Sequence, residues 1–528
     1  MFIYIVSLLA WLVYTLFKAQ KDIHILQLNS YMPSRYLRWQ GYNFFKNVDM
    51  KEVLPLLAIV LLALGSPFYS QILWIFIYLM LIMLLLLRKK REPQKKKLVY
   101  TARVKRLFVT TILIFTLCFW IFMLFIYKTP LAIYLILFIS TIFSFLIILI
   151  ANTVNAPIEA SINRWYYNDA RKKISNMPDL KVIGITGSYG KTSTKYILNS
   201  ILSESFNVLM TPESYNTTMG VTITVRTMLK PTHQVLIAEM GAKKRGDVRE
   251  IASLVNPEYA ILTAIGEQHL ETFKDLENIK MAKNELIEAL PNNGMAFLNL
   301  DDKNIQDLPR TAGVKYFYYG IKSGNLHYWA EDISYDVRGS NFKVCKYDGT
   351  ETIFRTKLLG LHNVYNILAA TAAASELGID LHTISYAVRK ITPVPHRLEL
   401  KKSAGGLSII DDAFNSNPTG SRMALDVLDK IQAVKKILVT PGMVELGPRE
   451  HEFNKEFGIK ASGICDYIIL VGPRQTAPIQ EGLKEMDYPA NQYYIARNLN
   501  EAVKHLNSIT VPGSIVLFEN DLPDSYNE

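Results

Sequence analysis

Apolar and polar positions divide this chain into two stretches of different character. From Met1 to Phe17 no charged residue interrupts the apolar run, and the first one is Lys18. A secretory signal would carry positive charge before its apolar core, not after it. The run therefore predicts a first transmembrane helix with its N-terminus outside. Residues 19–52 mix polar and aromatic positions and carry Lys21, Arg35, Arg38, Lys46 and Lys51, which predicts a cytoplasmic loop lying partly in the interface. Val53 to Leu87 is too long for one span of roughly 20 residues. Gly65-Ser66-Pro67 breaks it into two around a tight outer turn. Leu107–Tyr127 and Leu131–Ala151 predict two more spans around Lys128-Thr129-Pro130. The expectation is about five transmembrane helices. No apolar run carries Asp, Glu, Lys or Arg near its middle, so an ion-coupled pathway is not indicated.

Residues 153–178 read as an amphipathic connector on the membrane face, with Asn163-Arg164-Trp165-Tyr166-Tyr167 and Arg171-Lys172-Lys173. From Lys181 short apolar strands alternate with helical stretches, the pattern of a parallel α/β sheet. Strands are predicted at Val182–Ile185, Gln234–Glu239, Tyr259–Ala264 and Met295–Leu298. Residues 314–357 alternate aromatics with turns and predict a small antiparallel insertion. Helical patterning returns from Asn363 to Leu377. Pro393 and Pro395 mark a boundary, and a second α/β unit follows, with strands near Leu407–Ile410, Lys436–Thr440, Tyr467–Val471 and Ser514–Phe518. The expected layout is a polytopic α-helical membrane region (1–152), the connector, a central α/β domain (179–394) and a Rossmann-like C-terminal domain (395–528).

Charge sharpens the membrane reading. The net charge is +11, and positives crowd beside the apolar runs at Arg88-Lys89-Lys90-Arg91, Lys95-Lys96-Lys97, Arg103, Lys105 and Arg106. That placement fits topology anchors better than a nucleic-acid surface, and it puts these segments and everything after residue 152 in the cytoplasm. Cys118, Cys345 and Cys465 are too scattered for a disulfide framework or a zinc site.

The stretch Ile183-Gly184-Ile185-Thr186-Gly187-Ser188-Tyr189-Gly190-Lys191-Thr192-Ser193 carries the chemistry. A strand, a glycine turn and a helix start together favour an anion. Gly187, Ser188, Gly190 and Ser193 would shape or line the loop, Lys191 would reach the outer phosphates, and Thr192 would ligate Mg²⁺. Five residues separate Gly184 from Gly190 where the common P-loop has four, so the pattern is better written T-G-S-x-G-K-T. Glu239 ends one predicted strand and His269 follows another, the edge at which open parallel sheets bind ligands. Each has a plainer reading, as a solvated carboxylate and a structural imidazole. Lys283 would ordinarily face solvent on its helix. Asn363 and Asn366 share a helix face and can bond a nucleotide base or simply cap the helix. Asp411 and Asp412 stand at a strand end before a turn.

Together these tracts resemble the Mur ligase superfamily, most closely the type that adds D-alanyl-D-alanine to a muropeptide. The matching segments are Thr186–Thr192, Glu239–Ala242, Gly266–Leu270, Ala282–Glu285, Gly360–Asn366, Arg397–Glu399, Asp411–Pro418 and Glu445–Gly447, in the family's order. The resemblance implies an ATP-dependent acid–amino-acid ligase working through an acyl phosphate in envelope polymer synthesis. It implies ATP and Mg²⁺, with Glu239 and His269 as further metal ligands and a carbamate on Lys283. Asn363 and Asn366 would contact adenine, and Arg397 and Asp412 the ribose and phosphates. Asn216, Thr217, Asn415 and Asn417 would lie on the substrate side. Two departures stand out. Membrane helices replace the domain that recognises a UDP-linked sugar, and Phe518-Glu519-Asn520-Asp521 stands where those enzymes often carry Lys-Gly-Ser. The expected partners are the membrane, a carboxylate acceptor that is lipid-linked, and an amino acid or short peptide. The competing readings are a poly-γ-glutamate-type ligase, an ATPase coupled to transport or signalling, and a non-catalytic cell-wall scaffold.

Overall fold

The computed structural model describes residues 2–89, 97–125, 128–268, 270–322, 324–336, 339–393, 396, 398–402, 406–413 and 417–521. The chain divides into two compact units, Met1–Asn163 and Arg164–Leu522.

The first unit is helical. It comprises α1 (Phe2–Leu28), α2 (Pro33–Tyr42), α3 (Phe44–Asn47), α4 (Pro55–Ala63), α5 (Pro67–Lys89), α6 (Ala102–Phe125), α7 (Pro130–Ile142) and the start of α8 (Ser144–Ser175). Among the described residues four helices, α1, α5, α6 and α8, are long and apolar enough to cross a membrane. The sequence led us to expect about five. Gly65, at φ +79°, does break the second run, but unequally: α4 has 9 residues. At 1.5 Å each they rise only about 14 Å, against a hydrocarbon core of roughly 30 Å. The last expected span is also divided. Helix α7 stops at Ile142 after 13 residues, and α8 continues without a break through the segment read as a separate connector.

Helix α1 runs on past Phe17 and carries charge into the bundle. Lys18 pairs with Glu52 and donates to the Thr141 carbonyl at 2.9 Å, and Tyr14 donates to Glu52 at 2.8 Å. Asp22 accepts from Ser144 at 2.6 Å and from Asn47 at 3.0 Å. Lys18, Asp22 and Glu52 are all buried. Charges persist in such a place only when paired and hydrogen-bonded. The ends of the 19–52 stretch, through Asp22, Asn47 and Glu52, therefore belong to the packed bundle, while most of α2 is exposed.

In the second unit strand and helix alternate: β1 (Lys181–Thr186), α9 (Lys191–Leu202), β2 (Val208–Met210), α10 (Thr218–Met228), β3 (Val235–Glu239), α11 (Asp247–Val255), β4 (Tyr259–Leu262), α12 (Leu270–Phe273), α13 (Leu276–Glu288), β5 (Met295–Asn299), α14 (Lys303–Gln306) and β6 (Lys315–Gly320). These strands pair in parallel in the order β2-β3-β1-β4-β5-β6. Continuous apolar runs such as VLIAE suit strands covered by helices on both faces. The aromatic stretch forms β7 (Tyr328–Asp336), β8 (Gly339–Lys346) and β9 (Glu351–Thr356). It is an extension of the same nine-stranded sheet, with β7 parallel to β6 and an antiparallel meander beyond. Helices α15 (Leu361–Glu376) and α16 (Leu381–Lys390) complete this half.

A second sheet follows, made of β10 (Glu399–Lys402), β11 (Ser408–Asp412), β12 (Lys435–Thr440), β13 (Tyr467–Val471), β14 (Tyr493–Ala496) and β15 (Ser514–Glu519), with α17 (Pro418–Lys430), α18 (Glu450–Ser462), α19 (Ala477–Glu485) and α20 (Leu499–Ile509) between strands. Its order is β10-β11-β15-β12-β13-β14, and only β10 is antiparallel.

Candidate active site

The phosphate loop takes its shape from two glycines that no other residue could replace. Gly187 sits at φ +150°, and a Cβ there would lie 2.1 Å from Thr263 Oγ1; Gly190 sits at φ +83°, and a Cβ would lie 2.6 Å from Asn366 Oδ1. Gly190 is the N-cap of α9, so the loop delivers the chain to a helix N-terminus, where backbone N–H groups and the helix dipole favour an anion. The loop is tied to the β4 side as well. Ser188 N donates to Ala264 O at 2.7 Å, and Ser188 Oγ to Gly266 O at 2.8 Å. Lys191 folds over the loop, with Nζ donating to Gly187 O at 2.7 Å and Ser188 O at 3.1 Å.

Strand β3 lies beside β1 with Ile185 opposite Glu239, which brings that carboxylate to the loop. Glu239 Oε1 accepts from Thr192 Oγ1 at 3.1 Å and from Asn216 Nδ2 at 3.0 Å. Oε2 pairs with Lys195 Nζ at 3.0 Å, with the two side chains 1% and 0% exposed. Burial alone would push the Glu239 carboxyl up. Lys195, then Lys191, outweigh it and hold the group below the ordinary carboxylate value. Lys195 also donates to Glu213 O at 2.5 Å. Sequence reasoning passed over this lysine, although its place one turn after Lys191 puts both on one face of α9.

Lys283 is buried and does not face solvent. Burial, then the neighbouring Lys191, hold its amine well below the ordinary lysine value against the pull of Asp247, Glu285 and Glu239. Thr192 and Glu239 converge as oxygen donors beside the loop. Such a pair fits Mg²⁺, which takes one or two carboxylates and completes its shell with phosphate oxygens and water.

A cavity of about 370 Å³ opens on the other side of the loop. Ser193, Asn363, Asn366 and Asp412, read from the sequence as nucleotide contacts, line it, together with Asn417, which was expected on the substrate side, and with Tyr189, Asp301, Asp302, His362 and Glu519, which the sequence reading did not select. Asn366 Oδ1 accepts from Thr194 Oγ1 at 3.2 Å, and Asn363 Nδ2 donates to Leu359 O at 2.9 Å. Burial pushes the His362 imidazole down to about 4, so it is neutral at physiological pH. Asp412 Oδ1 accepts from Leu398 N at 3.1 Å. Asn417 caps α17 through Gly420 N at 2.9 Å, and Thr217 caps α10 through Gly220 N at 3.2 Å. His269, Arg397 and Asn415 lie outside the described residues. Across the cleft Arg449 forms an ion pair with Glu267, joining the two α/β halves.

Residues 185–374 match the Mur ligase middle domain, and residues 396–519 match the Mur ligase glutamate ligase domain. The UDP-N-acetylmuramoyl-tripeptide–D-alanyl-D-alanine ligase of Bacillus subtilis (strain 168) is 32% identical over 342 residues, which cover 64% of this chain and 72% of that one. The chain belongs to the Mur ligase family. It is an ATP-dependent acid–amino-acid ligase, with four long apolar helices in its N-terminal region. The Escherichia coli (strain K12) enzyme of the same name is 31% identical over 334 residues, 61% of this chain and 73% of that one. Among solved structures, MurF from Acinetobacter baumannii superposes with a TM-score of 0.63 at 26% identity, over 69% of this ligase and 78% of that chain. MurF ligase from Thermotoga maritima, solved in complex with ADP, shares the fold with a TM-score of 0.60 at 24% identity, over 68% and 80% of the two chains.

Proposed function

We propose that this Mur ligase is anchored by its N-terminal helices and joins an amino acid or short peptide to a membrane-bound carboxylate acceptor, in the synthesis of peptidoglycan or another envelope polymer. The Thr192–Asn216–Glu239 cluster against the phosphate loop supports the chemistry. The adenine of ATP takes the cavity at Asn363 and Asn366, with the ribose toward Asp412 and the phosphates along Gly187–Ser193. Lys191 turns from the loop carbonyls to the outer phosphates. The acceptor carboxylate attacks the γ-phosphorus, the bond to ADP breaks, and an acyl phosphate forms. The amine nitrogen then attacks the acyl carbon, phosphate leaves, and the amine loses a proton. Mg²⁺, when bound, offsets charge on the transferring phosphoryl oxygens. Thr192 and Glu239 would hold it, and Asn216 fixes the carboxylate. His269 remains a proposed further metal ligand and Arg397 a proposed ribose and phosphate contact, Thr217 and Asn415 are proposed on the substrate side, and Asn417 stands at the nucleotide cavity.

The acceptor assignment rests on the four long apolar helices, more than anchoring needs, since one spanning helix already holds a domain effectively irreversibly. The full-length protein should be supplied with ATP, an amino acid mixture and either a lipid-linked or a UDP-linked muropeptide, and the amide identified by mass spectrometry. Product is expected on the lipid-linked acceptor. Equal or faster ligation of the UDP-linked one would remove the membrane acceptor.

Lys283 supports a carbamate. Burial favours the unprotonated form of this amine, the form that adds CO₂ and loses a proton to give an oxygen donor that suits a hard metal. Lys283→Ala is expected to lose most activity and to regain part of it with acetate or formate. An alanine variant as active as its parent would leave Lys283 without a chemical role. The proposed orientation keeps residues 88–106 and everything from 152 onward in the cytoplasm. Single cysteines at positions 95 and 128 test it in intact cells, because external labelling of the first but not the second would invert it.

A further inference from the structure

Sheet order gives the ATP cleft a direction. The nucleotide cavity is lined by residues that follow β4 and β5, such as Ala264 and Asp302. The phosphate loop follows β1, and β3 lies on the far side of β1. A run of phosphates leaving the cavity across β1 therefore points toward β3, and the group that receives the γ-phosphoryl meets it there.

The loop that leaves β3 is firmly held. Gly241 N donates to Asn216 O at 2.7 Å. The N–H groups of Lys243 and Lys244 both donate to Asp247 Oδ2, at 2.9 and 3.1 Å. Gly246 N and Arg249 N donate to the two oxygens of Glu285, at 2.7 and 3.0 Å, and Glu285 is only 4% exposed. A buried carboxylate is thus committed to the backbone of this loop and to the first turn of α11, which leaves that helix N-terminus already satisfied. The side chains at the loop's tip are not. Lys243, Lys244 and Arg245 are exposed and, among the described residues, form no ion pair. They come four to six residues after Glu239 in the chain. Three adjacent cations on a rigid loop repel one another unless an anion arrives to meet them.

We propose that Lys243, Lys244 and Arg245 form an anion-recognition site on the acceptor side of the phosphate loop, which reads a second carboxylate carried close to the one being activated. The inference rests on the ligase reading above and narrows the acceptor to polycarboxylate peptides. Four residues of chain, the separation of Lys243 from Glu239, span at most about 14 Å. A carboxylate one to three residues back from the reacting end of a peptide falls within that reach.

The full-length protein, with ATP and an amino acid mixture, should be assayed with a lipid-linked muropeptide, with γ-linked triglutamate and with N-acetyl-alanine, which has a single carboxylate. Replacing the three residues together (Lys243→Ala, Lys244→Ala, Arg245→Ala) is expected to raise the KM for the polycarboxylate acceptor by about tenfold or more, with the KM for ATP within about twofold. The charge-preserving set Lys243→Arg, Lys244→Arg, Arg245→Lys should keep the parent's acceptor KM, which separates charge from loop folding. The two polycarboxylates distinguish a muropeptide stem from a γ-glutamyl chain. An unchanged acceptor KM in the alanine variant overturns the inference, as does a parent enzyme that uses N-acetyl-alanine equally well. A parent that hydrolyses ATP but forms no amide with any acceptor overturns the ligase reading, and this inference with it.

Discussion

Lys191→Ala is expected to lower turnover by at least about a hundredfold while leaving membrane insertion unchanged. The lysine stands at the N-terminus of α9 with Nζ held over the loop by the Gly187 and Ser188 carbonyls. In the proposed reaction it turns from those carbonyls to the outer phosphates, where charge develops during phosphoryl transfer. Alanine removes the cation but retains the glycine geometry, which depends on Thr263 and Asn366 and not on the lysine. ADP release by the full-length protein and the fraction recovered in membranes measure the two halves of the expectation. Release at the parent rate would take the loop out of the mechanism.

Lys195→Met is expected to destabilise the ligase unit by about 3–5 kcal/mol, the usual cost of leaving one member of a buried ion pair behind. Methionine keeps much of the volume but strands Glu239, which is 1% exposed and loses its closest cation. The pair also sets the pH response. The Glu239 carboxyl titrates below its ordinary value of 4.5, so its contribution is fully present above that value and is lost as pH falls through the lowered pKa. The gap between parent and variant should therefore be widest near neutrality and narrow on acidification. Denaturant unfolding of the full-length protein in detergent, followed by near-UV circular dichroism at neutral and acid pH, provides the measurement. Adding Glu239→Gln to the variant should recover much of the loss. A change within about 0.5 kcal/mol at neutral pH, the range of an ordinary surface substitution, would show that the ion pair is not what holds this corner together.

The elements that were legible in the chain are the local ones. Val182–Ile185 followed by T-G-S-x-G-K-T and a helical pattern announces a strand, a glycine turn and a helix N-terminus, because each depends only on neighbouring residues. The strands ending at Glu239 and near Thr263, and most of those in the second sheet, were visible for the same reason, as continuous apolar runs between turns. Order along the chain also supplied the family, since the matching tracts recur in sequence. Periodicity does not reveal what packs against a polar face. Lys283 and Lys195 sit on helices where a lysine ordinarily meets water, and only the approach of β3, Glu239 and Lys191 makes them buried and charge-coupled. Lys18 read as the polar end of a span and Asp22 as part of a loop until Glu52, Asn47 and Ser144, distant in sequence, close around them. The aromatic stretch looked like an insertion because strand pairing is decided by neighbours far along the chain, and it is the pairing of β7 with β6 that joins it to the main sheet. Helix length differs from the expectation for a related reason: hydropathy reports that a run is apolar, while where Gly65 and the α7–α8 break divide it decides which helices are long enough to cross. The sequence therefore determined the kinds of groups available for phosphate chemistry and the order in which they come. Tertiary packing decided which of them are dehydrated, paired and brought to one edge of the sheet, because desolvation and ion pairing depend on contacts between residues that are remote in the chain.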